Sequence, residues 1–312
     1  MTGVGPRAPF WLDDDAYAAP CLFELHLNAT DLGQRREGII ATLAPALARH
    51  HVPMGEQMMH PDAVTLEFEA SGPRAAALFR ELSRLVGALA ADVAIVPAQR
   101  QIRLLACDMD GTVVDGETLD ALAARAGAGE HVAAITDQAM RGTIDYRTAL
   151  FERTRLLAGI DPVLMSEVAA TAPLSAGAAE LVAAARTAGV RTLLVTGGFE
   201  PIAMTIARRL GFDDCVCNRL ETIDGRPGGA LVPPIVDVDG KRAALEVECQ
   251  RLGIDAEAVC AIGDGANDVA MLSSAGFGIA FRAKPVLASA SHYRIDYANL
   301  SAAARWCGFP LP

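Results

Sequence analysis

The sequence predicts an α/β fold, a parallel sheet with helices on both faces, preceded by a smaller α+β unit. From about residue 100, apolar runs alternate with helical patterns, which is typical of a parallel sheet. Before residue 100, the segments follow the order β-α-β-β-α-β instead. At 312 residues and 52% hydrophobic content, the chain is long and apolar enough for two or three domains with a sizeable core.

Residues 20–98 form the predicted α+β unit. Strands are expected in CLFELHL, AVTLEFEA and DVAIVPA, and a further one within VPMGEQMMH. Helical spacing marks QRREGIIATLAPALARH and PRAAALFRELSRLVGALA. In architecture this order resembles the ACT-type regulatory modules attached to amino-acid enzymes, and both dimerisation and serine sensing stay open as its role. Residues 1–19, rich in Pro, Gly and Asp, are expected to be flexible.

Residues 100–312 form the second predicted unit. Four apolar runs predict buried strands: IRLLAC, RTLLV, AVCAI and GFGIAF. Between the first two runs, residues about 117–172 contain only helical patterns: ETLDALAARAG, EHVAAITDQAMRG, DYRTALFERTRLLAG and DPVLMSEVAATA. We interpret this stretch as a helical cap inserted over the edge of the sheet.

Charge and composition exclude two classes of partner. The chain carries 27 Lys and Arg against 38 Asp and Glu, a net charge of −11, so no basic surface for nucleic acid is expected. No apolar run reaches the roughly 18 residues that a membrane helix needs. The N-terminus lacks the apolar core of a signal peptide, and the seven scattered cysteines suit a reducing compartment. The sequence therefore predicts a cytoplasmic protein.

Polar residues follow three of the predicted strands at their carboxyl ends. The first strand ends in Asp108, the second in Thr196-Gly197-Gly198, and the third in Gly263-Asp264-Gly265, which Asn267 and Asp268 follow. Ligands of open parallel sheets bind beyond the carboxyl ends of the strands. A single Asp at a strand end is usually a turn or helix cap, but three such sets favour a shared site.

The residue types in these sets suit a cation and an anion. Asp108 and Asp264, with Asp268 nearby, offer the hard oxygen ligands that Mg²⁺ prefers. The amides of Gly197 and Gly198 precede a helix whose N-terminus favours an anion, although an ordinary tight turn has the same pattern.

Lys241 is more informative than the glycines. It lies in the first turn of the helix predicted from GKRAALEVECQRLG, where the helix dipole disfavours a cation. A solvated surface lysine tolerates that position; the functional interpretation is that Lys241 reaches an anion bound between the strands.

Together these residues resemble the haloacid dehalogenase superfamily of phosphatases. DMDGT at 108–112 fits the first motif of the superfamily, Asp-x-Asp-x-Thr, and Thr196 fits the second. Lys241 fits the third, and GDGAND at 263–268 the fourth. Each motif is weak alone, but four in the right order over residues about 103–285 are specific.

Within the superfamily, the phosphoserine phosphatase family gives the most detailed resemblance. TGGF at 196–199, GDGANDVAML at 263–272 and AFRAKPVL at 280–287 look like that family's versions of its motifs. Two departures are Gly111, where Ser is common, and Thr196, where Ser is usual.

The same resemblance implies how a substrate amino acid is bound. Glu117 in DGET matches the Glu that faces the substrate ammonium. MRGTIDYRTALFERTRLL at 140–157 looks like the family's cap helices, where Tyr146 replaces a frequent Phe and Arg153 matches the Arg that holds the substrate carboxylate. Taken alone, Glu117 is an ordinary helix-start acid and Arg153 an ordinary solvated residue.

The family mechanism assigns roles to the remaining residues. Asp108 would be the nucleophile that forms an aspartyl-phosphate, and Asp110 the general acid and base. Asp108, Asp264 and the backbone carbonyl of Asp110 would hold Mg²⁺, and Lys241 would neutralise the phosphate.

Other residues of the motifs would bind or orient groups in the site. Thr196, with the amides of Gly197 and Gly198, would hold phosphate oxygens. Asn267 and Asp268 would orient the metal shell and the lysine, and Asn267 is also placed in the substrate site.

The implied activity is Mg²⁺-dependent hydrolysis of O-phospho-L-serine, the last step of serine biosynthesis. Three alternatives stay open: a phosphotransferase acting on a hydroxyl acceptor such as homoserine, a phosphatase for another small phosphate ester, and a non-catalytic sensor. The expected partner is the small-molecule substrate, and the N-terminal unit offers a surface for a homodimer.

Overall fold

The computed structural model describes residues 20–29, 31–53, 57–140, 143–291 and 293–311. Two sheets organise these residues, one of four strands and one of seven. Within the described ranges, no helix combines the length and the apolar character needed to cross a lipid bilayer.

The first sheet and its helices follow the predicted order β-α-β-β-α-β. In chain order these elements are β1 (Cys21–Asn28), α1 (Leu32–Arg49), β2 (Gln57–Met59), β3 (Ala63–Ala70), α2 (Gly72–Val86) and β4 (Asp92–Pro97). The strands lie in the order β2-β3-β1-β4, and all three pairs are antiparallel. The alternating residues Phe23, Leu25 and Leu27 are buried in one cluster with Leu43 and Leu78.

The order of the N-terminal elements is therefore confirmed, whereas the likeness to ACT modules stays a prediction. Residues 1–19, which we expect to be flexible, lie outside the described residues.

The second sheet is mostly parallel. Its elements are β5 (Leu104–Cys107), α3 (Thr118–Arg125), α4 (Gly129–Met140), α5 (Tyr146–Arg155), α6 (Val163–Thr171), α7 (Ala178–Thr187), β6 (Arg191–Phe199), α8 (Glu200–Leu210), β7 (Asp214–Ile223), β8 (Arg226–Val232), α9 (Val238–Leu252), β9 (Val259–Gly263), α10 (Val269–Ser273), β10 (Phe277–Phe281), α11 (Pro285–Ala290), β11 (Tyr293–Ile295) and α12 (Ser301–Trp306). The strand order is β11-β10-β9-β5-β6-β7-β8, and only the β7–β8 pair is antiparallel.

All four apolar runs predicted as buried strands are confirmed, as β5, β6, β9 and β10. Every residue of β5, β9 and β10 is buried, as expected for parallel strands covered on both faces. The β7–β8 hairpin was not predicted, because most residues of β7 are exposed or half-buried and form no continuous apolar run. Cys215 and Cys217 both lie on β7.

The four predicted helical segments between β5 and α7 are confirmed as α3, α4, α5 and α6, although residues 141–142 lie outside the described residues. The helices rest on two parts of the core. The N–H of Gly159, just after α5, donates to the carbonyl of Pro227 in β8 (2.8 Å). Arg209 on α8 donates to the carbonyls of Ala169 (2.6 Å) and Ala172 (3.1 Å) at the end of α6. We call α3–α6 the cap helices below.

A carboxylate joins the two sheets. Asp92 on β4 accepts hydrogen bonds from the backbone N–H groups of Asp296 (2.8 Å), Tyr297 (3.1 Å) and Ala298 (2.7 Å). Burial raises the pKa of Asp92 to about 6 despite these donors. The described N-terminal unit is thus bonded directly to the segment after β11.

Candidate active site

The predicted acids come together beyond the carboxyl ends of β5 and β9. Asp108 directly follows β5, and its N–H donates to the carbonyl of Ile262 on β9 (2.9 Å). Asp108, Asp264 and Asp268 are all buried, and a carboxylate oxygen of each lies within 4.8 Å of the others. Buried carboxylates this close repel one another, so positive charge is needed among them.

Lys241 supplies part of that charge. Its Nζ lies 2.6 Å from Asp108 Oδ1 and 2.6 Å from Asp268 Oδ1, and its side chain is 0% exposed. Burial disfavours the ammonium, but the two carboxylates outweigh burial and raise the pKa of Lys241, so it stays charged. Burial, and then the nearby charge of Asp268, raise the pKa of Asp108 despite the lysine. The three side chains form a buried ion triad.

Asp268 also organises the loop after β9. Its Oδ2 accepts the N–H of Asp264 (3.2 Å) and of Gly265 (3.0 Å), which leaves Oδ1 for Lys241. Asn267, in the single turn of 3₁₀ helix before α10, places its amide oxygen against Gly265. Asn267 is therefore beside Asp264 and Asp268.

Asp110 lies between the sheet and the first cap helix. Its Oδ1 accepts the N–H of Thr118 (2.7 Å), the first residue of α3. Burial, and then the charge of Glu117, raise the pKa of Asp110 to about 7. A carboxyl group with that pKa can both give and take a proton near neutral pH.

Gly111 accounts for one departure from the family pattern. Its φ is +71°, and a Cβ on it would lie 2.5 Å from Oδ2 of Asp264. A side chain at this position would therefore be strained and would displace the Asp264 carboxylate. In this chain glycine lets the loop after β5 run directly against the loop after β9.

The segment Thr196-Gly197-Gly198 lies in the irregular end of β6, where the pairing with β7 shifts register. The N–H of Gly198 donates to Thr196 Oγ1 (2.9 Å), so the hydroxyl proton of Thr196 is directed elsewhere. Tyr146 at the start of α5 reaches this segment, because a Cβ on Gly197 would collide with its hydroxyl. Burial raises the pKa of Tyr146 to about 12, so the phenol stays protonated.

Asn218 supports the same segment and was not predicted from the sequence. Its Nδ2 donates to the carbonyls of Gly197 (2.9 Å) and Val236 (3.1 Å), and its Oδ1 accepts the N–H of Val236 (2.8 Å). The side chain is completely buried. All three bonds hold backbone, so Asn218 fixes the loop rather than facing a ligand.

Lys284 is a second residue that was not predicted from the sequence. Its Nζ lies 3.3 Å from Oε1 of Glu117 and 3.3 Å from Oδ2 of Asp264. It occurs in AFRAKPVL, a segment singled out for its resemblance and not for this lysine. Lys284 thus links the acid at the start of α3 to the acids at the sheet.

Glu117 and Arg153 lie on the cap side. Glu117 precedes α3 and its side chain is 42% exposed. Arg153 on α5 is half-buried, with Nε 3.3 Å from the carbonyl of Ala149. Burial and the charge of Glu117 raise the pKa of Asp120, whereas the charges of Arg153 and Lys284 lower it. These four charged groups therefore lie in one region. The cap side therefore offers charges of both signs.

The donor set suits a hard divalent cation. Three buried carboxylates supply only oxygen ligands, and the described cluster contains neither cysteine nor histidine. Lys241 and Lys284 together do not match the charge of the four acids that pair with them. The residues fit a metal that adds the missing positive charge.

Comparison with known proteins identifies relatives of the chain. A family model described as haloacid dehalogenase-like hydrolase matches residues 102–276. A phosphoserine phosphatase of Mycobacterium tuberculosis is 44% identical over 204 residues, covering 64% of this chain and 50% of that protein. One from Archaeoglobus fulgidus is 38% identical over 244 residues, covering 77% and 71%.

The fold also has a solved counterpart. The crystal structure of an HAD family hydrolase from Salmonella enterica serovar Typhi superposes with a TM-score of 0.80 at 25% identity, covering 91% of this chain and 97% of that one. The chain spans about half the length of the Mycobacterium tuberculosis protein (50%) and little more of its Streptomyces coelicolor counterpart (57%).

Proposed function

The chain belongs to the family of haloacid dehalogenase-like hydrolases, and on that premise we propose that it is a Mg²⁺-dependent phosphatase of O-phospho-L-serine. One observation carries the proposal: a buried ion triad of Asp108, Lys241 and Asp268 lies beside Asp110, whose pKa is about 7. The relatives named phosphoserine phosphatase support the choice of substrate.

Asp108 is the nucleophile in this mechanism. Its carboxylate forms a bond to phosphorus while the bond between phosphorus and the serine oxygen breaks, which gives an aspartyl-phosphate and L-serine. Lys241, 2.6 Å away, holds the attacking carboxylate in place and offers positive charge to the phosphate. Mg²⁺ held by Asp108, Asp264 and the carbonyl of Asp110 would supply further positive charge against the phosphate dianion.

Asp110 moves the protons. At neutral pH a large fraction of its carboxyl is protonated, so it can donate to the departing serine oxygen. The resulting carboxylate then takes a proton from the water that attacks the aspartyl-phosphate. The hydrogen bond from Thr118 N–H keeps Asp110 at the start of the cap helices through both steps.

The end of β6 holds the phosphate oxygens. The Thr196 hydroxyl accepts from Gly198 and is left to donate, and the amide of Gly197 adds a second donor. Tyr146, protonated at neutral pH, covers this segment from the cap side. Asn267 would contact the substrate or orient the metal shell beside Asp268.

Glu117 and Arg153 give the selectivity for an amino acid. The carboxylate of Glu117 would take the substrate ammonium, and the guanidinium of Arg153 would take the substrate carboxylate. Both lie on or beside cap helices, and residues 117–172 would act as a lid that opens to release L-serine.

We also propose the location and the domain organisation of the enzyme. We place it in the cytoplasm, with residues 20–98 as an ACT-like unit that forms a homodimer and residues 100–312 as the phosphatase domain. Size-exclusion chromatography with light scattering of the full chain tests the dimer.

A phosphate-release assay tests the activity. Four substrates separate the requirements: O-phospho-L-serine, phosphoethanolamine without the carboxylate, 3-phosphoglycerate without the ammonium, and p-nitrophenyl phosphate. We expect Mg²⁺-dependent release with the highest kcat/KM for O-phospho-L-serine, and loss of release in chelator. Equal kcat/KM on all four would contradict the substrate, and phosphorylation of added homoserine in place of free phosphate would favour a phosphotransferase.

A further inference from the structure

The start of α5 in the cap and the start of α9 in the core are joined by an ion pair. Nη1 of Arg147 lies 2.5 Å from Oδ2 of Asp237. The arginine is largely exposed, but Asp237 is buried, with only 10% of its side chain accessible. A carboxylate so shielded from water gains more from its partner than a surface pair does.

Asp237 also builds the first turn of α9. Its Oδ1 accepts the N–H of Gly240 (3.0 Å), and its carbonyl accepts the N–H of Lys241 (2.9 Å). One carboxylate therefore caps the helix that carries Lys241 with one oxygen and binds the cap arginine with the other.

Arg147 stands next to Tyr146 at the start of α5. Asp145 caps this helix by accepting the N–H of Thr148 (2.7 Å), which fixes the first turn. From that turn Tyr146 reaches the backbone of Gly197, and Arg147 reaches α9. The ion pair thus holds the end of α5 that covers Thr196-Gly197-Gly198, which we call the phosphate-binding segment.

The described hydrogen bonds at the other end of α5 join it to the β7–β8 hairpin. Gly159 donates to Pro227 O (2.8 Å) and accepts from Arg226 Nη1 (2.9 Å). These contacts would persist if the first turn of α5 moved away from β6. One end of α5 is suited to be a pivot and the other to be released.

We propose that Arg147 and Asp237 form a latch that holds the cap closed over the phosphate-binding segment. The latch is a positioning device that rests on the proposed function and deepens it, since neither side chain touches the reacting atoms. Breaking it shifts the cap toward open states, so substrate is held less tightly while product leaves no more slowly.

The variants Arg147→Met and Asp237→Asn test the latch in the full chain. Asparagine still caps α9 but loses the charge. Arg242→Met is the matched control, because Arg242 pairs with Asp239 (3.3 Å) in an exposed contact on the same helix. Two measurements apply: hydrogen exchange of the amides of α5, and kcat and KM for O-phospho-L-serine.

We expect each latch variant to raise KM and the exchange rate in the first turn of α5 by about fivefold, without lowering kcat. The double variant should be no worse than either single variant, because the same interaction is removed. Arg147→Lys should recover part of the effect, and Arg242→Met should match the wild type.

Exchange rates and KM equal to those of Arg242→Met in both latch variants would overturn the proposal, as would fully additive effects in the double variant. If the wild-type chain fails to hydrolyse O-phospho-L-serine, the proposed function is wrong, and hydrogen exchange in α5 still decides whether the latch exists.

Discussion

The two sides of the candidate site are built differently. On the sheet side, Lys241 is completely buried and pairs with Asp108 and Asp268 at 2.6 Å. On the cap side, Glu117 is 42% exposed and its partner Lys284 is 3.3 Å away. Strand ends and the first turn of α9 fix the buried ion pairs of the sheet side. The position of Glu117, in contrast, depends on the cap helices that rest on the core.

Under the proposed function, this difference would separate the chemical step from substrate selectivity. Electrostatic stabilisation is effective when the charges are fixed and shielded from water before the reaction begins. Recognition of a small zwitterion needs groups that admit and release it, which in the proposed mechanism would be partly exposed side chains on cap helices that act as a lid. Substitutions on the sheet side should therefore reduce kcat on every substrate, and substitutions on the cap side should act mainly on KM for one substrate.

The largest effect is expected for Asp108→Asn. An amide cannot attack phosphorus, so we expect phosphate release from every substrate to fall by on the order of 10³-fold or more. Steady-state assays with O-phospho-L-serine and p-nitrophenyl phosphate measure this. Asp239→Asn, an exposed acid on α9, should retain wild-type rates. Substantial activity in Asp108→Asn would remove the nucleophile from the mechanism.

Lys241→Met should reduce both activity and stability. It leaves Asp108 and Asp268 buried without their counter-ion, which typically costs about 3–5 kcal/mol in the free energy of unfolding. We also expect kcat to fall by about 10²-fold or more on all substrates. Urea unfolding and steady-state kinetics measure the two effects.

Lys284→Met is the matched control for stability, because Lys284 is half-exposed and its pairs are longer. We expect a loss below about 1 kcal/mol for it. Similar losses in the two lysine variants would contradict the distinction between the two sides of the site.

Arg153→Ala should discriminate between substrates. Losing a charged hydrogen bond to the substrate carboxylate should raise KM for O-phospho-L-serine by roughly tenfold or more, and leave KM for p-nitrophenyl phosphate within about twofold. Arg155→Ala, an exposed residue on the same helix, is the control. If KM rises equally for both substrates, Arg153 does not bind the carboxylate.

The sheet side could be predicted from sequence because its residues follow directly from strands. The runs that became β5 and β9 are continuously apolar, as fully buried parallel strands are, and each ends in an acid of the site. The helices of the cap were also recognisable from their spacing. Local pattern and fold agree in these regions.

The supporting contacts could not be predicted because they join distant parts of the chain. Lys284 meets Glu117 across 167 positions, and a lysine before a proline has no local feature that indicates this contact. Asn218 lies on β7, whose mixed exposure gives no strand pattern in the sequence. Neither this strand nor the bond of Asn218 to the segment at Gly197 could therefore be predicted. Such residues depend on tertiary placement, which periodicity does not encode.

The smallest expected effect is a shift in the pH dependence of kcat/KM in the variant Glu117→Gln. It concerns the place where the two sides of the site meet. In the proposed mechanism Asp110 must be protonated for the first step, and burial followed by the charge of Glu117 raises its pKa to about 7. kcat/KM for O-phospho-L-serine should therefore decline as pH rises through about 7. Removing the charge at Glu117 lowers the pKa of Asp110, so the decline should begin at lower pH, by less than about one unit.

The shape of kcat/KM against pH, normalised to its maximum, measures this shift separately from weaker substrate binding. Glu130→Gln, an exposed acid in the first turn of α4, should leave the profile unchanged. A shift to higher pH, or an equal shift in both variants, would mean that Glu117 does not act on the proton of Asp110. Because Glu117 lies on the cap side and Asp110 between the sheet and α3, a shift in the expected direction would show that the two sides are coupled through charge as well as through the chain.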